Sequence, residues 1–190
     1  ESGSSAGSLP SETAFYRRAW FSVKTEYRRA DISLILLDEE EARAYNRDYR
    51  GKDYATNVLS FALNEGEILP DQFSDGLYGD LVICPQVVLK EAAEQGKTPE
   101  QHFAHLTIHG TLHLMGYDHI EDDEAEIMEA EEIRLMLAAG FPPPSQEDEY
   151  YNGRYAVETQ VFRTPDLPTC RRARLRRRRI DPVAPSARTG

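Results

Sequence analysis

Cysteine is nearly absent: Cys84 and Cys170 are the only two in 190 residues. Two thiols make no disulfide framework, which sets aside a cross-linked secreted scaffold. Cys84 sits in an apolar stretch and is expected to be a small buried hydrophobe in a reducing, cytoplasmic setting. Long hydrophobic runs are missing too. The longest, Ile32 to Leu37, is interrupted by Ser33 and falls far short of the ~20 residues a membrane helix needs. No signal peptide is visible, and there are no internal repeats. Basic residues are outnumbered, 22 against 33 acidic, for a net charge of −11. Such a chain binds polyanions only through a local basic patch. The charge is uneven: residues 170–190 hold eight basic residues and one acidic, leaving −18 on residues 1–169.

Histidine is scarce as well, five in the chain, yet their spacing is the most informative feature present. His109 and His113 stand four apart, so on a helix they share one face. Gly116 can supply the left-handed residue that ends that helix, and the turn brings round His119. Three neutral imidazoles are a ligand set for tetrahedral zinc, one ion per chain, with a fourth position open to water. An HxxxH pair alone arises often by chance; HxxxHxxGxxH is far more specific, because each element has its own geometric task. His102 and His105 lie on the same stripe. His105 is about one turn (~6 Å) further along the axis and reads as a supporting or core histidine. Asp118 is a candidate to orient an imidazole N–H from behind.

The spacing is similar to that of the metzincin proteases, HExxHxxGxxH, in which the Glu after the first His is the general base. Here that residue is Gly110, which can take no proton. The ligand geometry of a peptidase is present and its base is missing, which argues against a protease.

The run His109, Gly110, Leu112, His113, Leu114, Gly116, Tyr117, Asp118, His119 resembles the HGxLHLxGYDH signature of the YbeY endoribonucleases. Two more segments carry the resemblance. YRGKDYATNVLSF (49–61) is similar to the family's YRGxDxPTxVLSFP, with Ala55 and Ala62 at the proline positions, and YGDLVICPQVV (78–88) is similar to its GDIVIS strand. The resemblance runs from about residue 12 to about 141. It implies a metal-dependent, single-strand-specific endoribonuclease, acting on the 3′ end of small-subunit (16S) ribosomal RNA and in ribosome quality control. It also implies ribosomal RNA, the ribosome or small-subunit assembly factors as partners, with no membrane. In the family a β-strand precedes the first helix, whereas this chain opens at Glu1-Ser2-Gly3-Ser4-Ser5, so that sheet edge is expected to lack its usual strand.

The pattern predicts a helix opening at Ser11-Glu12 with Phe15, Ala19 and Val23 on one face. A strand follows at Ile32 to Leu37, then a helix capped by Asp38 with Glu41 and reaching about Asp48. Strands are expected at Val58 to Leu63 and Leu81 to Cys84, with a long loop over 64–79 between them. Pro85 begins a helix that Gly96 ends, and Thr98, Pro99 and Gln101 start the metal helix. Asp122 to Ala139 is an acidic helix whose apolar side is read as Ile127, Ala130, Ile133 and Leu137, with Glu121 to Glu124 complementing its dipole. Mixed strands and helices predict α+β; the resemblance adds a small mixed sheet with surrounding helices, zincin-like. Residues 1–10 are expected to be disordered, 11–141 to form one catalytic domain, and 142–190, rich in proline and arginine, to be a disordered tail.

Arg43, Arg47 and Arg50 fall at i, i+4, i+7, followed by Lys52. By itself this reads as a solvated helix face paired with Glu39 to Glu41. Phosphodiester cleavage, however, calls for a guanidinium gripping two phosphate oxygens opposite the metal. Arg50 matches the arginine of the family's YRGxD motif, and Arg47 and Lys52 are candidate RNA contacts. The catalytic candidates are thus Arg50 and His113, and the metal ligands His109, His113 and His119. Whether water or a ribose 2′-hydroxyl attacks is left open. Two rivals stand beside this reading: a metalloprotease with a base from elsewhere, and an assembly factor whose structural zinc takes Cys84 or Asp118 as fourth ligand. CRRARLRRRR (170–179) could bind any polyanion non-specifically.

Overall fold

The computed structural model describes residues 9–23, 27–63, 76–144 and 173–174. In order the elements are α1 (Glu12–Ser22), β1 (Arg29–Leu36), α2 (Glu39–Arg50), β2 (Val58–Ala62), β3 (Gly76–Ile83), α3 (Pro85–Glu94), α4 (Pro99–Leu114), α5 (Asp122–Ala138) and β4 (Ala173–Arg174). The sheet order is β2-β3-β1-β4. β1 and β3 run parallel over eight residue pairs, while β2 is antiparallel to β3 and β4 to β1. The fold is therefore α+β on a small mixed sheet.

Local chemistry sets the helix ends. Asp38 accepts from the Glu41 amide at 2.9 Å and the Glu41 carboxylate reaches back to the Asp38 amide, closing a capping box on α2. Gly51, directly after α2, takes φ 67°, a conformation costly for any residue with a Cβ. Thr98 Oγ1 accepts from the Gln101 amide at 3.1 Å at the start of α4.

Strand alternation divides the core. Val58, Leu81 and Ile83 join the layer of α1, α3 and α4, whereas Leu59, Phe61, Val82 and Cys84 pack with Ala42 of α2 on the other face. Cys84 is fully buried, as expected of a small hydrophobe, and burial raises its thiol pKa. α4 is the central element: it packs on α1, α3, α5, β2 and β3, and every residue from His102 to Leu114 is buried.

Two expectations are corrected. β3 begins at Gly76, inside the span read as a loop, because Gly76 and Gly79 break its apolar pattern. Gly79 is required there: a Cβ would lie 2.7 Å from Leu114 Cδ2 and from the Phe61 carbonyl oxygen. On α5 the buried residues are Met128, Glu132, Leu135 and Met136, while Ile127, Ile133 and Leu137 are 62%, 37% and 56% exposed. The helix is rotated from the expected face because it buries a carboxylate. Among the described residues no helix is long and apolar enough to cross a membrane. Of the two segments expected to be disordered, residues 1–8, 145–172 and 175–190 lie outside the described residues.

Candidate metal centre

α4 presents four histidines from its buried stretch His102 to Leu114, and each buried imidazole must find polar company. His102 Nε2 meets Glu91 Oε2 of α3 at 2.8 Å. His109 Nδ1 meets Glu132 Oε1 of α5 at 2.7 Å, and His105 Nε2 lies 3.3 Å from the same oxygen. His113 Nδ1 is 2.9 Å from the Tyr117 carbonyl oxygen. The turn at Gly116, with φ 86°, then returns the chain so that the ligand atoms of His109, His113 and His119 all fall within 4.8 Å of one another.

The partners fix the tautomers. A carboxylate and a carbonyl oxygen only accept, so His109 and His113 each donate from Nδ1 and leave Nε2 as a bare lone pair. Those two Nε2 atoms face each other at 3.1 Å, an arrangement unfavourable unless a cation lies beside both. His119 Nε2 is buried and has no hydrogen-bond partner among the described residues. Two nitrogens about 2.0–2.1 Å from a tetrahedral zinc stand about 3.3–3.4 Å apart, close to the observed spacing. The three residues therefore fit a metal ion.

Electrostatics agree. Burial, then the nearby His109 and His119 imidazoles, pushes His113 well below the ordinary imidazole pKa; burial and His109 also lower His119. Both are held neutral, as ligands must be. For Glu132, burial would raise the carboxyl, but the His105 and His109 rings beside it outweigh this and hold it well below the usual carboxylate range. Glu132 is thus an ionised acceptor behind His109, an arrangement that orients a ligand and raises its basicity.

Sequence reading missed Glu132 and assigned such a role to Asp118. In the structure Asp118 Oδ1 accepts from the backbone N–H of His119 at 2.7 Å, so it shapes the turn instead of holding a ring. The one local signal for Glu132 is its place in the stripe Met128, Glu132, Leu135, Met136. A second group of three potential ligands, His105, His109 and Glu132, shares His109 with the first. Neither Cys84 nor Asp118 belongs to either ligand group among the described residues.

The basic residues stand on a different element. Arg50 is half-buried at the end of α2, and Lys52 is exposed just beyond it. Arg43 forms a two-pronged pair with Asp53 at 2.8 and 2.7 Å, and Arg47 pairs with Asp48 at 2.9 Å. Their partners are thus Asp53 and Asp48, not Glu39 to Glu41. Gly110, the position of the missing base, packs on the sheet: a Cβ there would lie 2.9 Å from Leu81 Cδ2 and 3.1 Å from Ser60 Oγ. Ser60 Oγ also donates to the Gly110 carbonyl oxygen at 3.1 Å. Any side chain here would require Leu81 to shift.

The family model described as "Endoribonuclease YbeY" matches residues 14–140. A Neisseria meningitidis serogroup C protein named "Endoribonuclease YbeY" is 85% identical over 150 residues, covering 79% of this chain and 88% of that relative. One of the same name from Chromobacterium violaceum is 48% identical over 145 residues, covering 76% and 84%. A solution structure of a Thermotoga maritima protein aligns at TM-score 0.46 with 29% identity, covering 68% of this chain and 86% of that one.

Proposed function

This chain belongs to the YbeY family of endoribonucleases, and from that premise we propose that it is a zinc-dependent endoribonuclease. Its substrate is single-stranded RNA, in maturation of the 3′ end of small-subunit ribosomal RNA and in ribosome quality control. One zinc per chain is held by His109, His113 and His119. The observation that carries this reading is the convergence of three imidazoles, two of them with Nδ1 committed to an acceptor so that Nε2 faces the partner ring at 3.1 Å. With no fourth protein ligand in the group among the described residues, a position is left for substrate.

When bound, the metal supplies Lewis-acid polarisation of the scissile phosphate. The chain's own groups do the rest. Glu132 fixes the His109 ring and His113 is locked on the Tyr117 carbonyl, so the ligands are organised before substrate arrives. Arg50 is the group that would grip two phosphate oxygens and oppose the charge developing on phosphorus. Arg47 and Lys52 would contact neighbouring phosphates, which requires Arg47 to exchange Asp48 for RNA. The work would take place in the cytoplasm, alongside the ribosome or its assembly factors.

Incubation of single-stranded RNA with the zinc-loaded protein tests the proposal, beside His113→Ala, Arg50→Ala and a chelator-treated sample. Cleavage by the wild type alone is expected. Equal cutting in all four samples would assign the activity to a contaminant and overturn the reading. Unfolding on metal removal, with no cleavage to lose, would instead favour a structural zinc.

A further inference from the structure

At the start of β2, outside the histidine centre, a cavity of about 550 Å³ opens between the first residues of α2, the segment before β2, and α3. Its floor is built. Glu91 is 8% exposed, accepts from Asn57 Nδ2 at 3.1 Å, and meets His102 Nε2 at 2.8 Å. Thr56, which also lines the cavity, is 4% exposed, and its hydroxyl oxygen has no hydrogen-bond partner among the described residues. Tyr54 lines the wall as well.

The charged lining is Glu39, Glu91 and Glu94 against Lys90, three carboxylates to one ammonium, so a phosphate is repelled and a group rich in N–H donors is attracted. A metal ion does not fit: neither ligand group among the described residues includes these carboxylates. The cavity stands near the proposed cutting site. His102, behind the cavity, is seven residues before His109 on α4, about 10 Å along the axis. Asn57 is three residues before Ser60, which touches Gly110, again about 10 Å. At 3.4 Å per stacked nucleotide that is about three nucleotides, or fewer if the strand is extended.

We propose that this cavity is a base-reading subsite that takes an unstacked guanine of single-stranded RNA within about three nucleotides of the cut. The inference rests on the reading of the chain as an RNA-cleaving enzyme. Guanine presents two adjacent donors, N1–H and the N2 amine, to acceptor-only carboxylates, and its O6 accepts from the Thr56 hydroxyl. The Tyr54 ring offers a stacking surface, as single-strand recognition commonly uses.

The test uses the full-length, zinc-loaded protein and nuclease-resistant 2′-fluoro phosphorothioate strands of uridine carrying one guanine, inosine or adenine. Inosine lacks only the N2 amine. Anisotropy titration is expected to show the guanine strand binding about tenfold tighter than the inosine strand, the effect of one hydrogen bond to a charged acceptor. The exposed Glu94→Gln should bring that ratio towards one, Thr56→Val should weaken the guanine and inosine strands alike, and in both variants cut sites on a mixed-sequence RNA should cease to cluster near guanine. Equal affinity for all three strands in the wild type would overturn the subsite while leaving the endoribonuclease reading intact. So would a lysine-rich peptide whose binding, unlike that of RNA, is weakened by Glu94→Gln, because the cavity would then serve a basic protein segment. Guanine-selective binding without cleavage would count against the proposed activity and in favour of the subsite.

Discussion

Removing the Glu132 carboxylate tests the metal centre most directly. Glu132 is 4% exposed, and its Oε1 lies 2.7 Å from His109 Nδ1 and 3.3 Å from His105 Nε2. Glu132→Ala deprives the His109 N–H of its acceptor in a dry interior, which costs about 1–3 kcal/mol of stability for that donor alone. Glu132→Gln keeps an acceptor oxygen but discards the charge, and the difference between a charged and a neutral hydrogen bond is about 1 kcal/mol. On the metal side, loss of an orienting partner weakens affinity about 10–100-fold, or about 1.4–2.8 kcal/mol. Competition against a chromogenic zinc chelator measures the second effect, and thermal unfolding of the metal-free protein the first. Zinc affinity is expected to fall in the order wild type, Gln, Ala. Wild-type affinity in both variants, with stability alone reduced, would refute the argument and make Glu132 a partner for buried histidines and nothing more.

Gly110→Glu, which restores the metzincin base by sequence, should destabilise the fold by more than about 3 kcal/mol, since it overpacks the sheet contact and buries a charge; denaturant unfolding would show it, and casein digestion should stay absent. The depressed pKa of His113 gives a pH dependence of defined sign. Above the ordinary value near 6.5 both folded and unfolded chains hold this ring neutral; as pH falls below it only the unfolded chain takes the proton, so stability is lost. Calorimetry on the metal-free protein from about pH 7.5 to about pH 5 should record a falling Tm, with a flatter profile for His113→Leu. Deletion of residues 145–190, which carry the arginine-rich run, should weaken RNA affinity at low salt and leave bound zinc unchanged by elemental analysis.

Most features that act over one helical turn were legible in the sequence. The Asp38–Glu41 capping box, the Thr98 cap, the Gly116 turn and the His109/His113 face depend on residues within four positions of each other, and each appears as expected. What was not legible depends on packing between distant elements. Only its place in the stripe of Met128, Leu135 and Met136 separates Glu132 from Glu131 beside it, yet the first is buried against two histidines and the second pairs with Arg134. The apolar residues of α5 pointed the wrong way because a stripe holding a carboxylate scores poorly as a core face. β3 lost its first residues to the loop for a similar reason: Gly79 weakens a strand pattern and is there only because Leu114 of α4 comes so close.

The same distinction explains why this centre has the ligands of a peptidase without its base. In a helix laid across a sheet, the residue after the first ligand is either turned to the substrate side or pressed on the strands. Here it is pressed on the strands, with Ser60 and Leu81 within 3.1 Å of where its Cβ would be. The close approach that demands glycine also brings β2 against α4 beside His109, through the Ser60 hydroxyl and the Gly110 carbonyl. Glycine at this position is therefore favoured by the close packing on the strands. Under the proposed mechanism, charge at the reacting phosphate is opposed by a cation from another element, Arg50. Arg50→Lys keeps the charge and loses the planar fork, so it should retain RNA binding and lose most of kcat. Full activity in that variant would mean that a point charge is enough, and that the two-oxygen grip is not part of the mechanism.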